Sequence, residues 1–292
     1  MTVPPPPPPP ASPPSFEAAG RAPVTCFKHG DRLTKISCSR CGRPICPDCM
    51  HDAPVGFQCP VCVKEGRTAA PRTVTGARLV GRPGLVSYGL VAANILVYLL
   101  HGNGEAHRAD WALWPIGVKH NDDFYRLFTA GFVHFGILHI ALNMFVLATV
   151  GPQLEALLGR WRFAALYFVS LAGSSALSYL LLPINSIAGG ASGAIFGLMG
   201  GLFVVARRMR LDTRQLNGWI AYSLVFSFLP GLNVDWRGHI GGLITGAAVT
   251  YGLVHAPQRH RGLVQAGAVL AGLLVAIAVI AIRTATFPAL TG

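Results

Sequence analysis

The sequence predicts an all-α, polytopic membrane protein preceded by a small cysteine-rich module. Three observations carry that prediction. Of 292 residues, 52% are hydrophobic and only 12% are charged, about half the charged share of soluble domains. So few charges would leave a globular surface too dry. All seven cysteines fall between Cys26 and Cys62, and none lies in the apolar remainder. From residue 84 onward, apolar stretches, each near the roughly 20 residues that a span needs, alternate with more polar loops.

The chain opens MTVPPPPPPPASPP. Residues 1–23 are rich in proline and poor in apolar side chains, the composition of a disordered or polyproline tail. No basic segment followed by an apolar one precedes the cysteines, so no secretory signal is expected there. The net charge of +12 bears first on topology, because Lys and Arg of membrane proteins collect in cytoplasmic loops. No basic stretch is interleaved with aromatics as nucleic-acid binding would require, so no nucleic-acid partner is expected.

Four ligand pairs occupy residues 24–64: Cys26-x-x-His29, Cys38-x-x-Cys41, Cys46-x-x-Cys49 and Cys59-x-x-Cys62. A two-residue gap lets both side chains of a pair grip one tetrahedral ion, and two pairs complete a zinc site. Eight ligands predict two structural zinc ions. The spacer between Cys41 and Cys46 is too short for sequential sites. It favours a cross-brace in which Cys26 and His29 share a metal with Cys46 and Cys49, and Cys38 and Cys41 with Cys59 and Cys62. This pairing resembles B-box-like zinc modules, which usually close with histidines, so His51 competes for the second site. An odd cysteine count and the CxxC spacing oppose disulfides. So small a module has few large apolar residues, and metal must supply much of its folding free energy. It reads as a docking or regulatory module for a cytosolic protein partner. Residues 65–83 form a basic, Gly/Pro-broken linker suited to anionic headgroups.

The apolar stretches place spans at about 84–101, 134–151, 163–182, 191–206, 216–232, 237–255 and 263–283. The fifth is the weakest, interrupted by Asn217 and several serines. Arg160 and Arg162 follow the second span, Arg207, Arg208, Arg210 and Arg214 the fourth, and Arg259 and Arg261 the sixth. The connection PINSIAGG carries no charge, and the loop before the sixth span holds only Asp235 and Arg237. Basic loops alternating with nearly neutral ones put the N-terminus in the cytoplasm, where the cysteines would stay reduced. Trp111 and Trp114 in the long first outer loop suit interfacial anchoring. The Ala/Gly/Arg-rich chain suits a prokaryotic plasma membrane.

Polar side chains inside a span are costly and mark function. Four stand out: His139, Asn143, Ser192 and His239. The spans carrying them all run from outside to inside, which brings the four to the outer half of the bilayer. His139 and Asn143, at i and i+4, share a helix face. Gly193, Gly197 and Gly201 recur every four residues, as do Gly238, Gly242 and Gly246, and such stripes let helix backbones meet closely. With the stripes facing, Ser192 and His239 could meet. A serine beside a histidine base is a useful nucleophile. Taken alone, a serine in GASG is a packing residue, and His134, His139 and His239 could serve as metal imidazoles, although no carboxylate or cysteine accompanies them at ligand spacing.

Together, HxxxN at residues 139–143, GASG at 190–193 and a histidine opening a glycine-rich stretch at 239 resemble the rhomboid family of intramembrane serine proteases. The resemblance covers residues 84–283. Tyr125-Arg126 is similar to that family's aromatic-Arg loop signature, and Glu155 stands where the family often has an acid. The resemblance implies a rhomboid-like six-helix core with a C-terminal seventh transmembrane helix. It implies a Ser192–His239 dyad. It also implies an oxyanion site from His139, Asn143 and the Ser192 backbone N–H, with Gly190 admitting the substrate closely and Phe196 packing on the His239 ring. The substrates implied are single-span membrane proteins in lipid, cut near the outer face at small residues. Catalysis would need no cofactor. Two other readings stand beside it: an inactive rhomboid-like escort of membrane proteins, and a zinc-module membrane adaptor without catalysis.

Overall fold

A computed structural model of the chain describes residues 23–68, 72–77, 83–101, 110–229 and 234–287. The expected tail (but for Pro23), the linker residues 69–71 and 78–82, and residues 102–109 and 230–233 lie outside them. The chain divides into two compact units, Met1–Ala70 and Pro71–Gly292.

The first unit is small and held around its cysteines. Strands β1 (Val24–Thr25) and β2 (Leu33–Thr34) pair antiparallel, as do β3 (His51–Asp52) and β4 (Phe57–Gln58), and helix α1 (Pro60–Thr68) follows. Six of the seven cysteines and Ile45 are buried, with Phe27, Met50 and Phe57 packed against them. So few apolar side chains make a thin core, and the sulfur atoms are most of it.

The second unit is helical. It comprises α2 (Leu85–His101), the short α3 (Pro115–His120) and α4 (Arg126–Thr129), then α5 (Ile137–Leu158), α6 (Arg160–Leu181), α7 (Ser192–Arg208), α8 (Arg214–Ser227), α9 (Trp236–His255) and α10 (Arg261–Ala285). By length and composition, α5, α6 and the stretch Gln258–Ala285 containing α10 can cross a membrane, and α2 is a shorter apolar helix. A helix overlaps each of the seven expected stretches, but the ends differ. The second begins at Ile137, three residues late, because His134 sits in the turn ahead of it, and it continues to Leu158. The fifth stops at Ser227, leaving α8 at about 21 Å with a 1.5 Å rise per residue.

The centre is the packing of α7 against α9, with α6 across both, α10 against α6 and α9, and α2 against α5. The glycine stripes make the first contact close. A Cβ at Gly242 would fall on the Gly193 carbonyl oxygen, and one at Gly246 on the Gly197 carbonyl. Around this seam Leu147, Leu154, Leu158, Phe163, Tyr167, Leu198 and Leu253 form the apolar core.

Two buried polar clasps fix the ends. Glu155 on α5, fully buried, accepts from the Ser87 N–H (2.9 Å), the Ser87 hydroxyl (2.8 Å) and the Val86 N–H (3.3 Å). It thereby serves the N–H groups that the first turn of α2 leaves unpaired. Gln265 on α10 accepts from Arg162 Nε (2.8 Å) and donates to the Leu253 carbonyl (2.8 Å) and the Thr75 carbonyl (3.1 Å). Thr75 is itself buried and donates to the Leu158 carbonyl at 2.8 Å. This part of the expected headgroup-bound linker is therefore docked on protein, because the Thr75 hydroxyl finds the buried Leu158 carbonyl there.

Candidate active site

Ser192 is the first residue of α7. The segment ahead of it is held by the stretch between α2 and α5: Leu113 and Ala188 exchange backbone hydrogen bonds (2.8 and 2.9 Å), and the Gly190 N–H donates to the Ala130 carbonyl (2.8 Å). Trp114, expected as an interfacial anchor, is half-buried within this loop. The buried Arg126 guanidinium lies over its ring at 5.8 Å and donates to Asp123 (2.8 Å) and the Ala112 carbonyl (3.2 Å). Gly190 has φ +135°, a region that disfavours side chains. A Cβ there would lie 2.8 Å from His139 Nε2. Glycine at 190 thus lets the backbone pass directly beneath the His139 ring.

The close α7–α9 seam sets Ser192 against His239. The Ser192 hydroxyl lies 2.8 Å from His239 Nε2, and His239 is only 6% exposed. Phe196, one turn along α7, stacks on the His239 ring with centroids 4.2 Å apart and planes 16° apart. On the other ring edge, Nδ1 lies 2.7 Å from the hydroxyl of buried Ser227, the last residue of α8.

His139 accepts the Phe135 N–H on Nδ1 (3.4 Å), so as a neutral ring it carries its proton on Nε2, the nitrogen nearest Gly190. His134 packs edge-on against it at 5.0 Å between centroids, and its Nε2 accepts the Ala191 N–H at 3.4 Å. Asn143 donates one amide N–H to the His139 carbonyl (2.8 Å) and retains a second. The first turn of α7 leaves its N–H groups without intrahelical acceptors, and Ser192 contributes one. A cavity of about 30 Å³ opens beside Ser192, lined by Ser174, Ser178, Gly190, Asp235 and His239 among others. The Ser178 hydroxyl donates to the Asp235 carboxylate.

In the sequence Asp235 counts only as a loop charge, and nothing there gives a role to Ser174, Ser178 or Ser227. The i, i+4 serine spacing at 174 and 178, and at 223 and 227, was the available signal. It reads as packing until the partner helix is known. The ring nitrogens of His134, His139 and His239 do not gather as a ligand set. Among the described residues, metal-ligating groups gather in the cysteine module alone.

There, Cys26, His29, Cys46 and Cys49 form one cluster and Cys38, Cys41, Cys59 and Cys62 the other, each with ligand atoms within 4.8 Å of one another. His29 Nδ1 lies 3.3 and 3.4 Å from the Cys46 and Cys49 sulfurs, and the Cys41 and Cys59 sulfurs are 3.8 Å apart. Tetrahedral zinc with bonds near 2.3 Å has an edge of about 3.8 Å, so the donor set and spacing fit zinc. Burial raises the thiols, but backbone N–H groups outweigh it at Cys26 and Cys38, bringing each down to about 6. Burial, then bonds to neighbouring thiols, drives Cys49 up to about 11 and Cys62 to about 12. A bound dication is what allows four such ligands to be deprotonated together. His51 lies outside both clusters. It pairs with Gln58 in the β3–β4 hairpin, its side chain is exposed, and Cys41 completes the second cluster.

Fold and site define a polytopic helical membrane protein with a buried Ser–His pair at the start of a glycine-packed helix pair. Residues 121–256 match the family model described as Rhomboid domain. Over 152 residues the chain is 31% identical to the putative rhomboid protease YdcA of Bacillus subtilis, covering 50% of this chain and 75% of that protein. It is 37% identical over 212 residues to the rhomboid protease GluP of the same organism, and 36% over 159 to the mitochondrial RHOMBOID-like protein 6 of Arabidopsis thaliana. The chain belongs to the rhomboid family. It spans 40% of the length of GluP (68% of this chain aligned) and 48% of the plant protein (50% aligned).

Proposed function

We propose that this protein is a serine-type intramembrane endopeptidase that cuts single-span membrane proteins with Ser192 as nucleophile and His239 as base. The observation that carries the reading is the 2.8 Å contact between the Ser192 hydroxyl and His239 Nε2 in a buried setting. The Ser192 oxygen attacks the scissile carbonyl carbon while its proton passes to His239. The imidazolium then gives that proton to the departing amine. Water attacks the resulting ester with His239 again as base, which releases the new carboxyl end and restores the serine.

The tetrahedral oxygen would meet the Ser192 N–H, the His139 Nε2–H and the spare Asn143 amide N–H. Loss of one such donor costs about 2.7–4 kcal/mol of transition-state stabilisation. The polar cavity beside Ser192 is sized for a small side chain or for the hydrolytic water. The Ser192 end of α7 lies opposite Arg207 and Arg208, and the basic turns at Arg160 and Arg259 also follow the far ends of their helices. With those ends cytoplasmic, the site opens to the outside and the module is cytosolic. The two clusters would each hold a structural zinc ion, leaving the module free to dock a cytosolic protein.

In reconstituted vesicles, Ser192→Ala and His239→Ala should each abolish cleavage of a single-span substrate, and Ser192→Ala should also abolish fluorophosphonate labelling. Wild-type cleavage by both variants would leave a non-catalytic membrane-protein binder as the better reading.

A further inference from the structure

We infer that Ser227 is the positioning residue for His239, and that through it the seating of α8 sets whether the histidine is ready to act. This rests on the Ser192–His239 reading above.

A serine hydroxyl has one proton. That of Ser227 is donated to the Ser223 carbonyl, one turn back on α8, at 2.7 Å. The second contact of the same oxygen, 2.7 Å to His239 Nδ1, must then be one in which the oxygen accepts. Nδ1 therefore carries the proton of the neutral ring, and Nε2 turns its lone pair to the Ser192 hydroxyl. That is the tautomer a general base needs, and in Ser-His-Asp enzymes a carboxylate selects it. Among the described residues no carboxylate hydrogen-bonds the ring, and Ser227 is the partner of Nδ1. The Phe196 stack holds the ring plane but treats both edges alike, so it cannot choose between the tautomers or the flipped ring. A hydroxyl can, and it adds no charge that would be costly in an apolar site.

The placement of Ser227 makes the arrangement conditional. It closes α8 and is the buried residue of that helix, whereas Trp219, Tyr222 and Val225 are exposed. A shift of α8 by about 1 Å would carry a 2.7 Å bond beyond hydrogen-bond range and leave Ser192 untouched on α7. Whatever displaces α8 in the membrane would thus act on the proton shuttle and spare the nucleophile.

The test uses the full chain in vesicles or micelles. The ¹⁵N shifts of the His239 ring in wild type should show a protonated Nδ1 and a bare Nε2. A proton on Nε2 instead would overturn the inference, with no variant required. Ser227→Ala should lower kcat by about tenfold to a hundredfold, the usual consequence of stranding a buried donor, with KM within about twofold. Ser227→Thr, which keeps the hydroxyl, should restore most of the loss at equal thermal stability. Wild-type kcat in Ser227→Ala, or failure of Ser227→Thr to recover it, would also overturn the inference. Full activity in Ser192→Ala or His239→Ala would instead remove the dyad reading on which it stands.

Discussion

At the scale of single residues, the site depends on what stands beside each polar group. Gly190 is the sharpest case, since a methyl group there would meet both an unfavourable φ and the His139 ring at 2.8 Å. Gly190→Ala should therefore displace His139. It should reduce cleavage by about 10²-fold, the order expected when a reacting geometry is misplaced by an ångström, and the purified variant's thermal unfolding in detergent should change little by comparison. Ser192 and His239 were visible in the sequence as polar residues in apolar stretches, and Gly190 as part of GASG. Ser227 was not, because a serine four residues after another in a helix has a satisfied local bond by default. Only its distance to His239 reveals the second one.

At the scale of elements, the α7–α9 seam determines whether nucleophile and base meet. Each glycine stripe recurs every four residues, so its members fall on one helix face, and backbone carbonyls of one helix occupy the space that side chains of the other would need. Gly242→Leu should force the helices apart. Overpacking of this kind typically costs about 1–3 kcal/mol, and a seam closed by backbone contacts has little room to relax. The expected outcome is a lower unfolding temperature in detergent and loss of Ser192 labelling even though Ser192 and His239 are both present. Helix existence was legible here from hydrophobicity and spacing. Helix ends were not. α5 begins after His134 because that imidazole is drawn to the Phe132 carbonyl and the Ala191 N–H, and α8 stops at the residue that touches His239.

At the scale of the whole molecule, two compact units carry separate chemistry. Both cysteine clusters lie in the first unit, and their independence of each other can be read in metal content. The wild-type chain should bind two zinc ions, and His29→Ala should lower this to one, since Cys38, Cys41, Cys59 and Cys62 share no ligand with the first cluster. Metal analysis finding no zinc in the wild type would defeat this assignment. CxxC pairs at short spacing were enough to foresee which side chains cluster, because two-residue gaps and a short spacer leave few ways to bring four such pairs into two groups. The exclusion of His51 was not foreseeable, since a histidine two residues after a cysteine has the right chemistry and only the β3–β4 pairing turns it outward. The sequence by itself determined the class of molecule: composition demands lipid, periodic glycines demand close helices, and paired cysteines at two-residue gaps supply metal-ligand spacing, all local properties of a chain. The tertiary structure alone decided which groups touch. Contact between residues tens of positions apart depends on helix rotation and depth, and from these come the edge of His239 that faces Ser192 and the hydroxyl that keeps it there.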